Sequence, residues 1–414
     1  MEAIKKKLRF SGTDFYIYKL SSGIKCYIIP KDGFKIKEAM AVVNFGSADS
    51  SFKLNSQEIS LPAGMAHFIE HKLFDKRDRS FFNDLSSNGA YVNAFTDFNK
   101  TAYYFSCQSG FYDNLDMLME MISKPYFDND GVENEKNIIK SEISMYNDNP
   151  QRAVFSNLLK IMYPKSPLSH EVAGSHESVD KIKASDLYKC YEAFYTPNNI
   201  SIICCGDIEP ELAALTVQKA EFGDINSVLK TPYGRMPERD YISKNMGLSE
   251  PIFNIGFKYD GIFPPEKIYA LKMIFELICG KGSKLYERLL NKQIITEPLV
   301  FDIINTSCGS FGVISGKGPK PAYVANSIIK TAQLLSMDSI PEYAFKRVKK
   351  AFLGGVYGCF NSIDSICMTQ AELSNFGFDL THMENALENL SLNSVNGMAK
   401  TAFVRDRAFL SIIK

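Results

Sequence analysis

The residues best placed to do chemistry lie in one short stretch, where His67, Glu70 and His71 fall within one helical turn and a half. The surrounding residues, from Gly64 to Phe74, predict a helix because most of them favour helices and none breaks the run. Residues three and four apart share a face of a helix, so the three side chains point the same way. Two imidazoles one turn apart can bind a single Zn²⁺, and the carboxylate beside them can accept the proton of a metal-bound water.

The start of this helix is expected a few residues earlier. Ser60 can cap the N-terminus, and Pro62 suits a first turn, where no backbone N–H is needed. The alternative for the whole stretch is an exposed polar turn with two ordinary histidines, since short motifs also match by chance. The large apolar residues within 68–74 argue against that alternative, because they leave little surface for solvent.

A catalytic zinc site usually has a third protein ligand, which this motif lacks. Residues 133–146 predict a second helix, and its positions 135, 138, 139, 142 and 146 fall on one stripe at helical spacing. Glu135 and Glu142 lie in this stripe among apolar and aromatic residues. A carboxylate on a core-facing stripe is costly unless it is paired or bound to a metal, so both are candidates. The alternative is that the stripe is rotated and both carboxylates are solvated.

Together the two helices resemble the pitrilysin/insulinase family of zinc metallopeptidases, in which H-x-x-E-H is followed about seventy residues later by E-x-x-x-x-x-x-E. Gly64 to Phe74 is similar to that family's G-x-A-H-F-x-E-H-x-x-F, and 88–104 is similar to its G-A-x-x-N-A-x-T strand. Residues 173–178 and 194–207 resemble its later landmarks. The resemblance is strong in the first half of the chain and weak in the second. It is closest to short bacterial members that occur in pairs, some linked to elongation factor P modification or peptide maturation.

The resemblance implies a role for each matching residue of the two helices. It makes His67, His71 and Glu142 the ligands of one Zn²⁺ per chain, Glu70 the general base, and Glu135 a supporting carboxylate near the site. One departure is the gap between the two ligand-bearing helices, which is a few residues shorter than the family leads us to expect. A trimmed loop between the helices would explain the difference without moving the ligands.

The resemblance also implies where the substrate binds. In the family, the strand that contains Asn93 and Ala94 offers its edge to the substrate, which pairs with it as an extra strand. Hydrogen bonds from these two residues would hold the substrate there. Without the family, Asn93 is equally well explained as a polar residue on a strand edge.

Composition sets limits on the class of protein and on its partners. The 414 residues are 45% apolar and 23% charged, with a formal net charge of zero. Neutrality gives no reason to propose nucleic acid or an anionic membrane as a partner. The N-terminal residues include basic ones but no apolar segment after them, so we expect no secretory signal. Nine scattered cysteines without a metal-binding pattern are typical of reduced thiols, which predicts a cytoplasmic protein.

The order of helical and strand patterns predicts an α+β fold of two structurally similar α/β halves. The family resemblance implies that each half is an antiparallel-rich sheet packed with helices, as in pitrilysin. Residues 222–250 contain Gly and Pro among charges and predict a linker. This division leaves 1–221 as the catalytic zinc-binding half and 251–414 as a second half without the zinc motif. In the second half, 270–279 takes the place of the zinc helix and contains no His, and 343–363 contains no Asp or Glu.

Two other features carry no function. Gly280 to Lys284 has the Gly, Lys and Ser residues of a phosphate-binding loop but not their spacing, so we interpret this segment as a turn before a helix. His170 and His176 lie in a loop rich in Pro and Ser, where surface histidines are the ordinary case.

We therefore predict a zinc-dependent metalloendopeptidase that cleaves peptides or unfolded segments enclosed between halves or subunits, with Glu70 activating the zinc-bound water. The alternative is a non-catalytic or weakly catalytic subunit that binds or matures peptides within a peptidase pair. In many active relatives an Arg and a Tyr of the second half reach the substrate, but 289–321 contains neither. We therefore expect a heterodimer with a sister chain that lacks the zinc motif, with a homodimer as the alternative.

Overall fold

The structure, a computed structural model, describes residues 1–223, 228–230, 240–403 and 407–414. Residues 224–227 and 231–239 of the predicted linker lie outside these ranges. Helices and largely antiparallel strands alternate along the described chain, which confirms the α+β class. None of the helices within the described ranges is long and apolar enough to span a membrane.

The helices and strands are named here in chain order. The first half of the chain contains β1 (Glu2–Lys7), β2 (Asp14–Lys19), β3 (Lys25–Pro30), β4 (Lys37–Val43), β5 (Ser51–Leu54), β6 (Gln57–Ser60), α1 (Met65–Leu73), α2 (Phe81–Ser87), β7 (Ala90–Thr96), β8 (Thr101–Cys107), α3 (Phe111–Ser123), α4 (Asn129–Asn147), α5 (Pro150–Met162), α6 (His176–Asp180), α7 (Ala184–Phe194), β9 (Ile200–Gly206), α8 (Pro210–Gln218) and β10 (Val228–Lys230). The second half contains β11 (Tyr241–Lys244), β12 (Ile252–Lys258), α9 (Pro265–Cys279), α10 (Lys284–Asn291), β13 (Val300–Thr306), β14 (Gly309–Lys317), α11 (Pro321–Met337), α12 (Glu342–Cys359), α13 (Ile363–Ser374), α14 (Leu380–Glu388), α15 (Leu392–Ala402) and β15 (Ala408–Ile413).

The chain folds into two compact units, and neither is a continuous segment. Unit 1 consists of Met1–Ile143, Glu171–Thr231 and Tyr357–Glu384. Unit 2 consists of Ser144–His170, Pro232–Val356 and Asn385–Lys414. The predicted division into 1–221, 222–250 and 251–414 stays a prediction about the order of the two halves along the chain. The compact units divide the chain differently, since each unit includes a segment from the other half.

Unit 1 is built on a sheet with the strand order β1-β2-β3-β9-β4-β8-β7. Neighbouring strands are antiparallel except β3 and β9, which run parallel. Residues 38–43 of the central strand β4 are all buried, since helices cover both of its faces. Helix α1 packs against β7 and β8, while α13 packs against β4 and β9. The strand β7 lies at the edge of the sheet, directly beside α1.

Unit 2 repeats this plan with a shorter sheet, in the order β11-β15-β12-β14-β13. The central strand β12 is buried from Ile252 to Phe257 and pairs with antiparallel strands on both sides. Helix α5, from the first half of the chain, packs against β12 and β15, and α9 packs against β13, α11 and α15. The apolar core of this unit therefore combines residues of both halves of the sequence.

Candidate metal centre

Helix α1 starts at a glycine rather than at the predicted cap. Gly64 is its N-cap residue with a φ of 95°, a left-handed conformation that glycine adopts at little cost, and Met65 is the first helical residue. The predicted start at Ser60 and Pro62 is wrong. Ser60 is the last residue of β6 and pairs with Ser51, so it belongs to a hairpin and cannot cap the helix.

The N-terminus of α1 lies against the backbone of a distant loop. A Cβ on Gly64 would lie 2.5 Å from the carbonyl oxygen of Ala173, and a Cβ on Gly174 would lie 2.5 Å from that of Ala63. The Ser178 hydroxyl donates a hydrogen bond to the same Ala63 oxygen at 2.8 Å. These contacts position the first turn of α1, and they explain why both segments carry a glycine.

The three polar residues of the motif lie together on the inner face of α1. His67 and Glu70 are each 8% exposed, and His71 is partly buried. The two imidazole rings lie 4.6 Å apart between centroids. The exposed polar turn is therefore excluded, because α1 buries this face against the sheet.

Helix α4 brings the two predicted glutamates to the same place, although its buried face differs from the predicted stripe. That face consists of Val132, Glu135, Lys136, Ile139 and Ile143. Ile138 is instead 57% exposed, and Glu142 is half-buried at the border of the face. The predicted stripe was rotated by part of a turn, so the apolar Ile138 was wrongly assigned to the core.

The two histidines and Glu142 form a donor set that fits a zinc ion. Glu142 Oε2 lies 3.6 Å from His67 Nε2 and 3.5 Å from His71 Nε2, and ligand atoms of the three residues all lie within 4.8 Å of one another. In a tetrahedral site with bonds of about 2.1 Å, neighbouring ligand atoms are about 3.4 Å apart. Two imidazole nitrogens and one carboxylate oxygen would leave the fourth position open, as in catalytic zinc sites.

Glu135 holds one of these rings in place. Its Oε1 lies 2.9 Å from His71 Nδ1. An ionised carboxylate only accepts hydrogen bonds, so the ring carries its proton on Nδ1. Nε2 is then the ring nitrogen available to a metal. Burial lowers the pKa of His71, but hydrogen bonds to Glu135 and Glu142 raise it more, to about 10. The negative charge that favours an imidazolium here would equally favour a divalent cation.

Glu70 is buried beside this donor set without being part of it. Its Oε2 accepts a hydrogen bond of 2.6 Å from the Thr96 hydroxyl. Burial raises the pKa of the Glu70 carboxyl, while the hydrogen bond from Thr96 and the nearby His71 oppose that rise. A carboxylate with a raised pKa is suited to accept a proton near neutral pH and to release it again.

The predicted substrate strand is the edge strand β7. Asp97 N donates to Lys100 O at the hairpin end, so by alternation the Ala94 N–H points away from β8, towards the free edge. This N–H donates instead to Asn93 Oδ1 at 2.8 Å. The structure therefore places both residues at an accessible edge, and a partner strand would have to displace the Asn93 side chain.

The donor set found in the described part of the chain does not include the histidines that the sequence assigned to the surface. His176 is exposed, and its Nε2 lies 3.1 Å from the Lys140 carbonyl oxygen. His170 is exposed and belongs to unit 2. In unit 2, α9 occupies the place predicted for the second copy of the zinc helix, and its sequence contains no His.

One residue beside the site was not assigned from the sequence. Thr96 was part of the strand motif, but nothing in the sequence relates the end of β7 to Glu70 on α1. A usable signal was the strand alternation, which puts Thr96 on the same face as Val92 and Ala94. The contact itself depends on how α1 packs on the sheet, and no local pattern encodes that packing.

The order of the motif, H-x-x-E-H, is that of the inverted zinc peptidases. The family model for insulinase (peptidase family M16) matches residues 56–176, and that for the peptidase M16 inactive domain matches residues 181–352. These matches together cover more than half of the chain, which therefore belongs to the insulinase family, peptidase family M16.

Similar proteins agree with this assignment. The chain is 31% identical over 416 residues to the Bacillus subtilis protein named "Uncharacterized zinc protease YmfH", covering 95% of this chain and 94% of that protein. A crystal structure of an M16-like peptidase from Alicyclobacillus acidocaldarius has a TM-score of 0.92 at 24% identity and covers 99% of both chains. The crystal structure of pitrilysin has a TM-score of 0.77 at 17% identity and covers 100% of this chain and 46% of that chain. The pitrilysin-like fold is thus confirmed.

Proposed function

We propose that the chain is a zinc-dependent metalloendopeptidase. The observation that carries the proposal is the meeting of His67, His71 and Glu142 at distances suited to one ion, with the buried Glu70 beside them on the same helix. When bound, zinc supplies a Lewis acid that makes a nucleophile of water at neutral pH. The name of YmfH, a zinc protease, supports the same chemistry for this chain.

The residues of the chain supply the proton transfers and the positioning. Glu70 takes a proton from the attacking water and returns it to the leaving amine, acting first as a general base and then as a general acid. Glu135 accepts the Nδ1 proton of His71 and so fixes the orientation of that ring. Because the hydrogen bond of Glu135 goes to the histidine, its role is support rather than proton transfer to the substrate.

The substrate would be an extended peptide that adds to the edge of β7. Backbone groups at this edge can pair with any extended segment, which favours peptides and unfolded segments over folded proteins. On binding, the substrate carbonyl would replace Asn93 Oδ1 as the acceptor for the Ala94 N–H. The family resemblance supports this edge as the binding site.

A second candidate function is a weakly catalytic or non-catalytic subunit that binds peptides within a peptidase pair. The match of 181–352 to the M16 inactive domain favours a division of labour, in which that part of the chain does no chemistry. The donor set in unit 1 argues for chemistry in the first half. Cleavage by the chain separates the two functions.

The proposed partner is a sister chain without the zinc motif. The absence of Arg and Tyr from 289–321 is the observation that supports it, since active relatives use such residues at the substrate. The test compares peptidase activity of this chain alone with its activity after addition of a co-encoded sister chain. Full activity from the isolated chain, unchanged on addition, would favour the homodimer.

The main experiment is a profile of cleaved peptides from a mixed library, with and without a chelator, for wild type and Glu70→Gln. The amide cannot accept the proton of water, so the variant should keep zinc and its fold but lose about 10²–10⁴-fold in rate. Cleavage that persists in Glu70→Gln at the wild-type rate would show that another group is the base.

A further inference from the structure

In the described part of the chain, the Glu70 carboxylate accepts a hydrogen bond from one side chain, whose role nothing so far assigns. Thr96 Oγ1 lies 2.6 Å from Glu70 Oε2, within the range of a hydrogen bond from a hydroxyl to an ionised oxygen. We propose that Thr96 is the positioning residue of the general base. By holding Oε2, it leaves Oε1 as the oxygen that takes the proton of the attacking water. The inference rests on the proposed peptidase function.

The direction of this hydrogen bond follows from the neighbouring hydroxyl. Thr101 Oγ1 lies 3.3 Å from Thr96 Oγ1 and donates its proton to the Phe45 carbonyl oxygen at 2.9 Å. Each hydroxyl has one proton. The Thr101 proton goes to Phe45, and Thr96 donates its own proton over the shorter contact, to Glu70. The two hydroxyls therefore face each other without a proton to share between them.

The backbone that carries Thr96 is held on both sides of the hairpin tip. Thr96 is the last residue of β7, and the next residues turn back into β8. The carbonyl oxygens of Asp97 and Phe98 each accept a backbone hydrogen bond of 2.9 Å, from Ser47 and Ala48 respectively. The tip is therefore fixed to the segment that follows β4.

The buried ammonium of Lys100 also fixes this tip, through two carboxylates that are themselves partly exposed. Lys100 is 1% exposed, and its Nζ lies 2.5 Å from both Asp97 Oδ2 and Glu372 Oε1. A buried ammonium held by two carboxylates has little freedom to move. The hydroxyl of Thr96 is thus in position before a substrate arrives, which is the condition for an oriented base.

The proton account of the step is simple. Water gives one proton to Glu70 Oε1 as its oxygen bonds to the substrate carbonyl carbon, and Glu70 returns that proton to the leaving nitrogen as the C–N bond breaks. Thr96 keeps its proton throughout and touches neither substrate nor water. Removing its hydroxyl should therefore lower kcat and leave KM unchanged.

The test uses two variants and a matched control, assayed on a fluorogenic peptide chosen from the cleaved set. Thr96→Val keeps the shape and suits a strand, but it lacks the hydroxyl, so we expect kcat to fall by about 10–100-fold with KM unchanged. Thr96→Ser keeps the hydroxyl and should recover most of that loss. Thr216→Val is the control, because the buried Thr216 hydroxyl donates its hydrogen bond within α8, to the Leu212 carbonyl oxygen.

A second readout needs no metal and no activity. In the metal-free protein, Thr96→Val and Glu70→Ala should not shift the Tm additively, because each change alone removes the one hydrogen bond that the two side chains share. Additive Tm shifts, wild-type kcat in Thr96→Val, or equal losses in Thr96→Val and Thr96→Ser would each overturn the inference. If the wild type cleaves no peptide of the library, the proposed function fails. If Glu70→Gln cleaves at the wild-type rate, another group is the base; if Glu70→Gln is inactive and Thr96→Val is not, only the role of Thr96 fails.

Discussion

Gly64 and Gly174 approach each other backbone to backbone, with φ values of 95° and 81°, although 110 positions separate them along the chain. Neither position has room for a Cβ, because the carbonyl oxygen of the residue before the other glycine lies where the Cβ would be. The start of the ligand-bearing helix is therefore set by a contact between distant segments, and its position depends on the loop at 173–178 as much as on its own sequence.

We expect Gly174→Ala to destabilise the protein more than its backbone conformation alone requires. Gly33 has a similar φ of 78° with nothing near its missing Cβ, so Gly33→Ala measures the cost of the left-handed conformation, about 1–2 kcal/mol. Gly174→Ala should add about 1–3 kcal/mol for the clash with Ala63. Urea unfolding of both variants gives the comparison, and equal free energies of unfolding would refute the contact.

Glu135→Ala should weaken zinc binding without removing a ligand. The His71 ring loses the acceptor for its Nδ1 proton, and loss of such a partner typically lowers metal affinity by about 10–100-fold. Competition with a chromophoric chelator measures the affinity. Glu133→Ala is the control on the same helix, because Glu133 is exposed and pairs with Lys136 rather than with a histidine. Wild-type zinc affinity in Glu135→Ala would rule out this support.

The purified chain should carry one zinc ion, lost after His67→Ala plus Glu142→Ala. Each tetrahedral site holds one ion, and the donor set found in the described part of the chain uses these two residues and His71. Elemental analysis of the wild type and the double variant checks the stoichiometry, with His176→Ala as a control for a surface histidine. An unchanged zinc content in the double variant would mean that the ion binds elsewhere.

Ala94→Pro should raise KM, because proline removes the N–H that faces the free edge of β7. Proline is tolerated on an edge strand where the N–H is not used within the sheet, so the fold should persist. Ala94→Ser keeps the N–H and serves as the control. Steady-state kinetics on a cleaved peptide distinguish the two, and an unchanged KM in Ala94→Pro would argue against edge pairing of the substrate.

Stability should depend on pH through Glu38, on the central strand β4. This residue is 3% exposed, and burial together with the nearby Asp364 raises its pKa to about 7, although a hydrogen bond with Cys367 opposes the rise. The folded protein thus holds this proton more tightly than the unfolded chain, so stability is lost as pH rises from about 4.5 through 7.

Glu38→Gln removes that titration. The difference in free energy of unfolding between the variant and the wild type should therefore favour the variant by about 1–3 kcal/mol more at pH 8 than at pH 4.5. Thermal unfolding at both pH values measures the change, and Glu2→Gln provides an exposed control. A stability difference that does not vary with pH would show that Glu38 is ionised in the folded state.

Much of the site could be predicted because it depends on short spacing. The helical turn that groups His67, Glu70 and His71, and the helix that carries Glu135 and Glu142, follow from periodicity alone. The start of α1 could not be predicted, since Ser60 is a favourable cap that tertiary pairing places in a strand. Ile138 was misplaced for a related reason: the orientation of an amphipathic helix is set by its neighbours when its own stripe is mixed.

The fold was predictable as an order of elements but not as a set of packing partners. The helix over 133–146 and the second-half counterpart of the zinc helix at 270–279 were expected from pattern, and they are present within α4 and α9. Nothing local shows that α5 packs on strands of the second half or that α13 packs on strands of the first. Such exchanges are decided by tertiary contacts between residues far apart in the chain.

The exchange of segments has a consequence for synthesis on the ribosome. Domains commonly fold in order as the chain emerges, the N-terminal one first. Here the sheet that carries the candidate metal centre is covered by α13, and unit 1 is complete only when Glu384 has left the exit tunnel. The face of β4 and β9 that α13 covers therefore stays uncovered until nearly the whole chain has been translated, and unit 1 cannot finish folding before then. A nascent chain stalled before Ile363 would expose that face to chaperones.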